Sequence, residues 1–311
     1  MLFRSPNPEN THPHSISRLK FLSQAAFVLA AVPFVSLIYG MVKSGFDIRV
    51  KKIKLNLAKL PDSFNGLKIV QISDIHCGSF TTTNHFENAV SIINEQKPDV
   101  IFFTGDLVND VATETENFLE TFSKIQAPMG VYSTLGNHDY GDYVKWESSE
   151  EKAKNLNELK SKHKHFGWNL LLNEHVSLSK GEDKIALIGI ENWGARGFTK
   201  YGDLKRAHAG TELYPVKLLL SHDPSHWEAQ VLTDFKDIDV AFAGHTHGMQ
   251  FGVEIPGFKW SPVQYFYKQW AGLYQQGNQY LYVNRGLGFI GYPGRVGILP
   301  EITVFELSNK V

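Results

Sequence analysis

The chain has 311 residues, 42% hydrophobic and 20% charged, which suffices for one large domain or two small ones with a real core. Its 31 basic and 32 acidic residues leave a formal net charge of -1, so no global basic excess points to nucleic acid, and no nucleic-acid partner is expected. A single cysteine, Cys77, excludes an intrachain disulfide; it reads as a small buried loop residue, with a redox-sensitive thiol as the sharper alternative.

In chain order, residues 1–18 form a polar leader rich in Pro, Asn, His and Ser. The apolar run from Phe21 to Val42 is long enough to cross a bilayer. Pro33 sits in its middle, where membrane helices tolerate proline, and Phe21 and Tyr39 lie near its ends, as interfacial aromatics do. The segment reads as a transmembrane helix over 19–43; a buried helix and a cleaved signal peptide are the other readings. Against the signal peptide, the run is long, begins late and lacks an Ala-x-Ala site. Arg4, Arg18 and Lys20 precede it, and Lys43, Arg49, Lys51, Lys52 and Lys54 follow, so the positive-inside rule places the C-terminal domain in the cytoplasm. Residues 48–57 also alternate apolar and basic, as a half-buried strand does, and its lysines then form a solvated face. Residues 44–61 are a connecting strand or linker, and 62–311 a single domain.

Within that domain, strands are expected over 67–73, 99–104 and 130–135, alternating with helices near 86–95, 114–125 and 146–165. The second half is richer in strands, over 170–172, 175–178, 184–190, 216–220, 239–243, 279–283 and 302–307. The distribution suits an α/β fold of two sheets packed face to face with helices outside.

Five polar clusters follow apolar runs: Asp74-Ile75-His76, Gly105-Asp106, Gly136-Asn137-His138-Asp139, Ser221-His222-Asp223 and Gly244-His245-Thr246-His247. Loops that leave strand ends on one edge converge there, so these distant clusters share one pocket. Carboxylates, imidazoles and an amide oxygen are the donors that hold two adjacent divalent cations. In an extended segment, Asp74 and His76 point to one side and grip one ion together, and His245 and His247 follow the same i, i+2 logic. A carboxylate such as Asp106 has two oxygens with which to bridge two ions. His138 faces the substrate, and Asp139 orients its imidazole. Singly, Asp-x-His and Gly-Asp are weak signals; their order and common placement make the dinuclear site.

With these clusters in order, and with the Gln71–His76, Gly244–Gly248 and Asn284–Gly288 segments, the chain resembles the calcineurin-like metallophosphoesterase superfamily over roughly 62–307. Within it, the chain resembles a membrane-associated bacterial branch of YkuE- and YaeI-like phosphodiesterases. The resemblance implies a four-layer α/β/β/α sandwich of two mixed sheets, here behind the N-terminal transmembrane helix. It implies one metal on Asp74, His76, Asp106 and His247, a second on Asp106, Asn137, His222 and His245, and His138 acting on the phosphate or leaving oxygen. The expected reaction is hydrolysis of a phosphomonoester or phosphodiester by a metal-bridging hydroxide, with Mn, Fe or Zn as the cations. Two other functions are carried: a UDP-2,3-diacylglucosamine pyrophosphate hydrolase of lipid A synthesis, and a non-catalytic scaffold of the same fold. The substrate is a phosphoester, soluble or lipid-linked, and no protein partner is expected. Where many relatives have Gly-Gly-Gln, this chain has Gly248-Met249-Gln250, which places Met249 at the pocket rim. Arg285 is expected at a substrate phosphate or else in a structural ion pair. The aromatic segment 260–274 packs loops and core, or forms an apolar rim facing lipid.

Overall fold

The computed structural model describes residues 17–310, so the polar leader expected over 1–18 lies outside the described residues except for its last two. Helix α1 (Arg18–Val42) opens with the Ser17 hydroxyl accepting the Lys20 N–H. It is apolar all round and almost wholly exposed, with Gly40 its one buried residue. It is long and apolar enough to cross a membrane.

After α1 come β1 (Arg49–Asn56), β2 (Lys68–Ile72), α2 (Asn84–Glu95), β3 (Val100–Phe103), α3 (Leu119–Ser123), β4 (Val131–Ser133), α4 (Ser149–His165) and β5 (Trp168–Leu170). The second half supplies β6 (Glu174–Lys180), β7 (Asp183–Gly189), β8 (Lys217–Leu220), β9 (Val240–Ala243), β10 (Val253–Ile255), β11 (Phe258–Trp260), β12 (Gly272–Gln276), β13 (Gln279–Val283) and β14 (Glu301–Ser308). One six-stranded sheet runs β1-β14-β2-β3-β4-β5 and a second runs β12-β13-β9-β8-β7-β6. Both are mixed: β2, β3, β4 and β5 are parallel while β14 lies antiparallel to β2, and β6 and β12 are antiparallel edges of the second sheet. Residues 44–61, read above as a connecting strand or linker, contribute β1, which pairs with β14 from Arg49–Glu301 to Asn56–Ser308.

Strands β3 and β9, and β8 after Lys217, are continuous apolar runs because both of their faces are covered. Between the sheets, Ile69, Val100, Phe102 and Phe305 of one pack on Ile185, Leu187, Leu218 and Phe242 of the other. Phe102 meets Phe242 edge-on at 5.2 Å. On the outer face of the first sheet, Phe86 and Ile93 of α2, Phe122 of α3 and Leu159 of α4 close a second core. On the outer face of the second sheet, Leu204 and Ala207 of the helix Leu204–His208 and Trp227 and Val231 of the helical turn Trp227–Val231 pack on Ile188, Leu219 and Ala241, so the order is helices, sheet, sheet, helices.

Two local expectations change. The helix expected over 114–125 is a 3-10 segment, Ala112–Phe118, before the short α3. The Glu114 carboxylate accepts the backbone N–H groups of Asn109, Asp110 and Val111 and tightens that turn. Strands β10 and β11 lie just before the aromatic segment, where no strand is expected; Pro256-Gly257, with Gly257 at φ +80°, turns one into the other.

Candidate metal centre

All five clusters leave their strands on one edge and meet there. Asp74, His76 and His247 bring three ligand atoms within 4.8 Å of one another, and so do Asp106, His222 and His245. Asp106 Oδ2 joins the groups, 3.1 Å from His222 Nε2 and 3.5 Å from His76 Nε2. The Asn137 amide oxygen lies 2.7 Å from His245 Nδ1, and His245 Nδ1 lies 3.3 Å from His222 Nε2.

The backbone that makes this possible is not extended. Asp74, His76, Asp106, His245 and His247 all have φ between 46° and 71°. This left-handed region is sparsely used by non-glycine residues and concentrates at functional sites. Asp74 and His76 do share one ligand group, but through successive tight turns and not through the pleat of a strand. Neighbouring glycines give the room: a Cβ on Gly244 would stand 2.2 Å from Asp74 Oδ2, and one on Gly136 2.2 Å from Asp106 Oδ1.

The electrostatics favour cations. Burial pushes His76 down to about 3 and holds His247 well below the usual imidazole range, so each is neutral with a lone pair to give. Burial pushes the Asp74 carboxyl up to about 6. Asp106 goes the other way: burial opposes its charge, but His222 and His138 outweigh burial and hold it well below the carboxylate range. His222 is the counterpart, raised to about 10 by Asp106 against the effect of burial, so its Nε2 holds a proton that a bound cation would displace. Asp74 Oδ2 is buried without a hydrogen-bond partner in the protein. His76 Nε2 faces His247 Nε2 at 3.0 Å, an approach that suits a cation between two lone pairs. The set of imidazole, carboxylate and amide oxygen, without thiolate, fits divalent cations of intermediate hardness.

The groups behind the ligands set their tautomers. His222 Nδ1–H donates to the Thr104 carbonyl at 2.7 Å, which leaves Nε2 for the pocket. His245 Nε2–H donates to the Tyr267 hydroxyl at 2.8 Å, and that hydroxyl donates to Asp223 Oδ2 at 3.3 Å, which leaves Nδ1 free. Tyr267 lies in the aromatic segment and Asp223 in the fourth cluster, and no local pattern in the sequence assigns either of them this role.

His138 lies edge-on to His76, with ring centres 4.9 Å apart. Its Nδ1–H donates to the Asn109 carbonyl at 2.7 Å. The contact expected from Asp139 is thus made by a backbone oxygen from another loop. The Asp139 carboxylate instead accepts the N–H groups of Asp106, Leu107, Val108 and Gly136, and so ties together the two loops that carry Asp106 and Asn137. Of the two readings of Arg285, the structure shows the ion pair: its guanidinium is buried between Glu254, at 3.0 Å, and Glu301. Cys77 is fully buried, and burial pushes its thiol well up, so it is inert packing. The aromatic segment divides: Trp270 is core, Tyr267 holds His245, and Tyr265 and Phe266 are 74% and 54% exposed.

Residues 67–249 match the family model described as calcineurin-like phosphoesterase. The chain is 31% identical over 282 residues to a transmembrane protein with metallophosphoesterase domain from Danio rerio, covering 88% of this chain but only 60% of that protein. It is 32% identical over 253 residues to the metallophosphoesterase YkuE of Bacillus subtilis, with 80% of this chain and 82% of that protein covered. It is 29% identical over 289 residues to the UDP-2,3-diacylglucosamine pyrophosphatase LpxG of Chlamydia trachomatis, covering 78% of this chain and 84% of that protein.

Proposed function

The chain belongs to the calcineurin-like phosphoesterase family, and from that premise we propose that it is a membrane-anchored hydrolase of phosphoric esters working with two divalent cations. The observation that carries this is Asp106, whose one carboxylate oxygen faces an imidazole from each ligand group. Asp74, His76, Asp106 and His247 would hold one ion, and Asp106, Asn137, His222 and His245 the other. Two such cations, when bound, polarise the phosphoryl oxygens and acidify a water.

The residues of the chain do the rest. Asp139 fixes the loop geometry, and the Asn109 carbonyl holds Nδ1–H and orients the His138 ring, so that the imidazolium form gives its Nε2 proton to the leaving oxygen as general acid and keeps the Nδ1 proton. Mn²⁺, Fe or Zn²⁺ suits the donors. The ligand set is complete, which favours an enzyme over a scaffold. The lipid-linked reading has its own support: exposed Tyr265 and Phe266 sit just before Tyr267 of the site, and α1 keeps the site near a bilayer. The relative named for UDP-2,3-diacylglucosamine makes that lipid nucleotide the first to assay.

Asp106→Ala and His245→Ala are expected to abolish hydrolysis of an aryl phosphodiester in Mn²⁺ while circular dichroism still reports a folded chain. Full activity in either folded variant refutes the two-cation site.

A further inference from the structure

We propose that Arg295 is a positioning residue that ties the last turn of α1 to the metal ligand His247, so that one half of the centre depends on how the helix is docked. The proposal rests on the two-cation reading above. Arg295 is fully buried, and its Nη2 lies 3.2 Å from His247 Nδ1. The same guanidinium donates from Nε to the Gly288 carbonyl at 3.0 Å and from Nη2 to the Arg285 carbonyl at 2.8 Å. A guanidinium only donates, and Nη1 gives its hydrogen to the His247 backbone carbonyl at 3.5 Å, so the side chain holds the main chain of this ligand and packs against its ring. The outer nitrogens of His222 and His245 face oxygen partners, so among these three only His247 has a guanidinium against its ring.

The backbone of Arg295 faces the helix. Its N–H donates to the Gly40 carbonyl at 3.2 Å, and its carbonyl accepts the Ser44 hydroxyl at 2.7 Å. One residue therefore bonds the anchor with its main chain and a metal ligand with its side chain. The fit leaves no slack. A Cβ on Gly40 would stand 2.9 Å from the Arg295 carbonyl oxygen and 2.3 Å from the Tyr292 hydroxyl. A Cβ on Gly294 would stand 2.6 Å from the Gly40 carbonyl carbon. The Tyr292 hydroxyl donates to the Leu37 carbonyl.

From the other side, Gln250, just past the last metal cluster, clamps the same loop. Its amide accepts the Ile290 N–H at 2.7 Å and donates to the Tyr292 carbonyl at 2.8 Å, and its backbone carbonyl accepts the Val296 N–H at 2.7 Å. Residues 290–296 are thus fixed between the helix and the His247 loop. Among the described residues Arg295 has no carboxylate within ion-pair distance, and a buried charge surrounded by carbonyls is an expensive way merely to fill space.

The test uses the full chain in nanodiscs, with Mn²⁺ affinity and stoichiometry measured by chelator competition. Arg295→Gln is expected to weaken one of two Mn²⁺ ions by about tenfold or more, the range for loss of a group that orients a metal ligand, and to leave the other unchanged. Gly40→Leu touches no ligand and is expected to weaken the same ion. Two ions at unchanged affinity in folded Arg295→Gln overturn the proposal, as does an unchanged profile for Gly40→Leu. If Arg295→Gln does not fold, Gly40→Leu decides alone. A wild-type chain that binds fewer than two Mn²⁺ ions fails at the earlier step, the two-cation reading, and removes the proposal with it.

Discussion

At the scale of single residues, His138 depends on an atom with no side-chain identity. The Asn109 carbonyl holds its Nδ1–H, and Glu114 holds the Asn109 N–H at 2.6 Å, so an acidic residue steers the proposed general acid through backbone alone. Proton donation matters most when the leaving group is a poor one. His138→Gln is therefore expected to lower kcat on an alkyl phosphodiester by roughly 10²–10⁴-fold, and much less on a nitrophenyl ester, whose oxygen leaves without a proton. Equal losses on both substrates would mean that His138 binds phosphate and does not move a proton. The role could not be read from Gly136-Asn137-His138-Asp139, because the adjacent carboxylate in that motif is spent on four backbone N–H groups.

At the scale of elements, α4 seats on the first sheet through a histidine. His163 is fully buried, 3.0 Å from the Ser133 hydroxyl, and packs on Phe103, Trp168 and Phe166. Burial pushes it down to about 3. It is neutral in the folded chain and takes a proton on unfolding below its ordinary value of about 6.5. Stability is thus unaffected by it above about pH 6.5 and falls by up to ~1.4 kcal/mol per pH unit from there down to about 3. His85, which burial pushes down to about 4, adds to the same slope. His163→Phe is expected to move the acid-unfolding midpoint to lower pH while changing the pH 8 melting temperature little; an unmoved midpoint assigns acid sensitivity elsewhere.

At the scale of the whole molecule, the question is which side of the membrane the sandwich occupies. The basic residues after α1 favour the cytoplasm. Part of that excess has another employment in β1: Arg49 pairs with Asp47, and Lys51 with Glu254 at 3.0 Å. The buried Cys77 makes the orientation measurable, since it leaves an introduced thiol as the only reactive one. Lys236→Cys, at an exposed position, is expected to react with a membrane-impermeant maleimide only after the membrane is opened. Labelling in intact cells places the domain outside.

By itself the sequence determined the strands that are continuous apolar runs, the apolar helix and the identities of the ligand candidates, because burial on both faces and metal chemistry each demand particular residue types in short order. Strand β3 and the cluster after it were legible together for that reason. Tertiary structure alone decided what each long-range partner does. The sequence leaves Arg285 open to a phosphate or an ion pair, and Glu254 and Glu301 decide for the pair; Asp139 adjoins His138 in the chain, but the fold brings it under Asp106. Arg295 carried no signal at all, since its meaning lies in Gly40, 255 residues earlier in the chain than its neighbour loop at 295, and in His247 on the opposite side. Hydrogen bonds of that kind leave no period or spacing in a sequence; only the packing of two sheets and one helix end creates them.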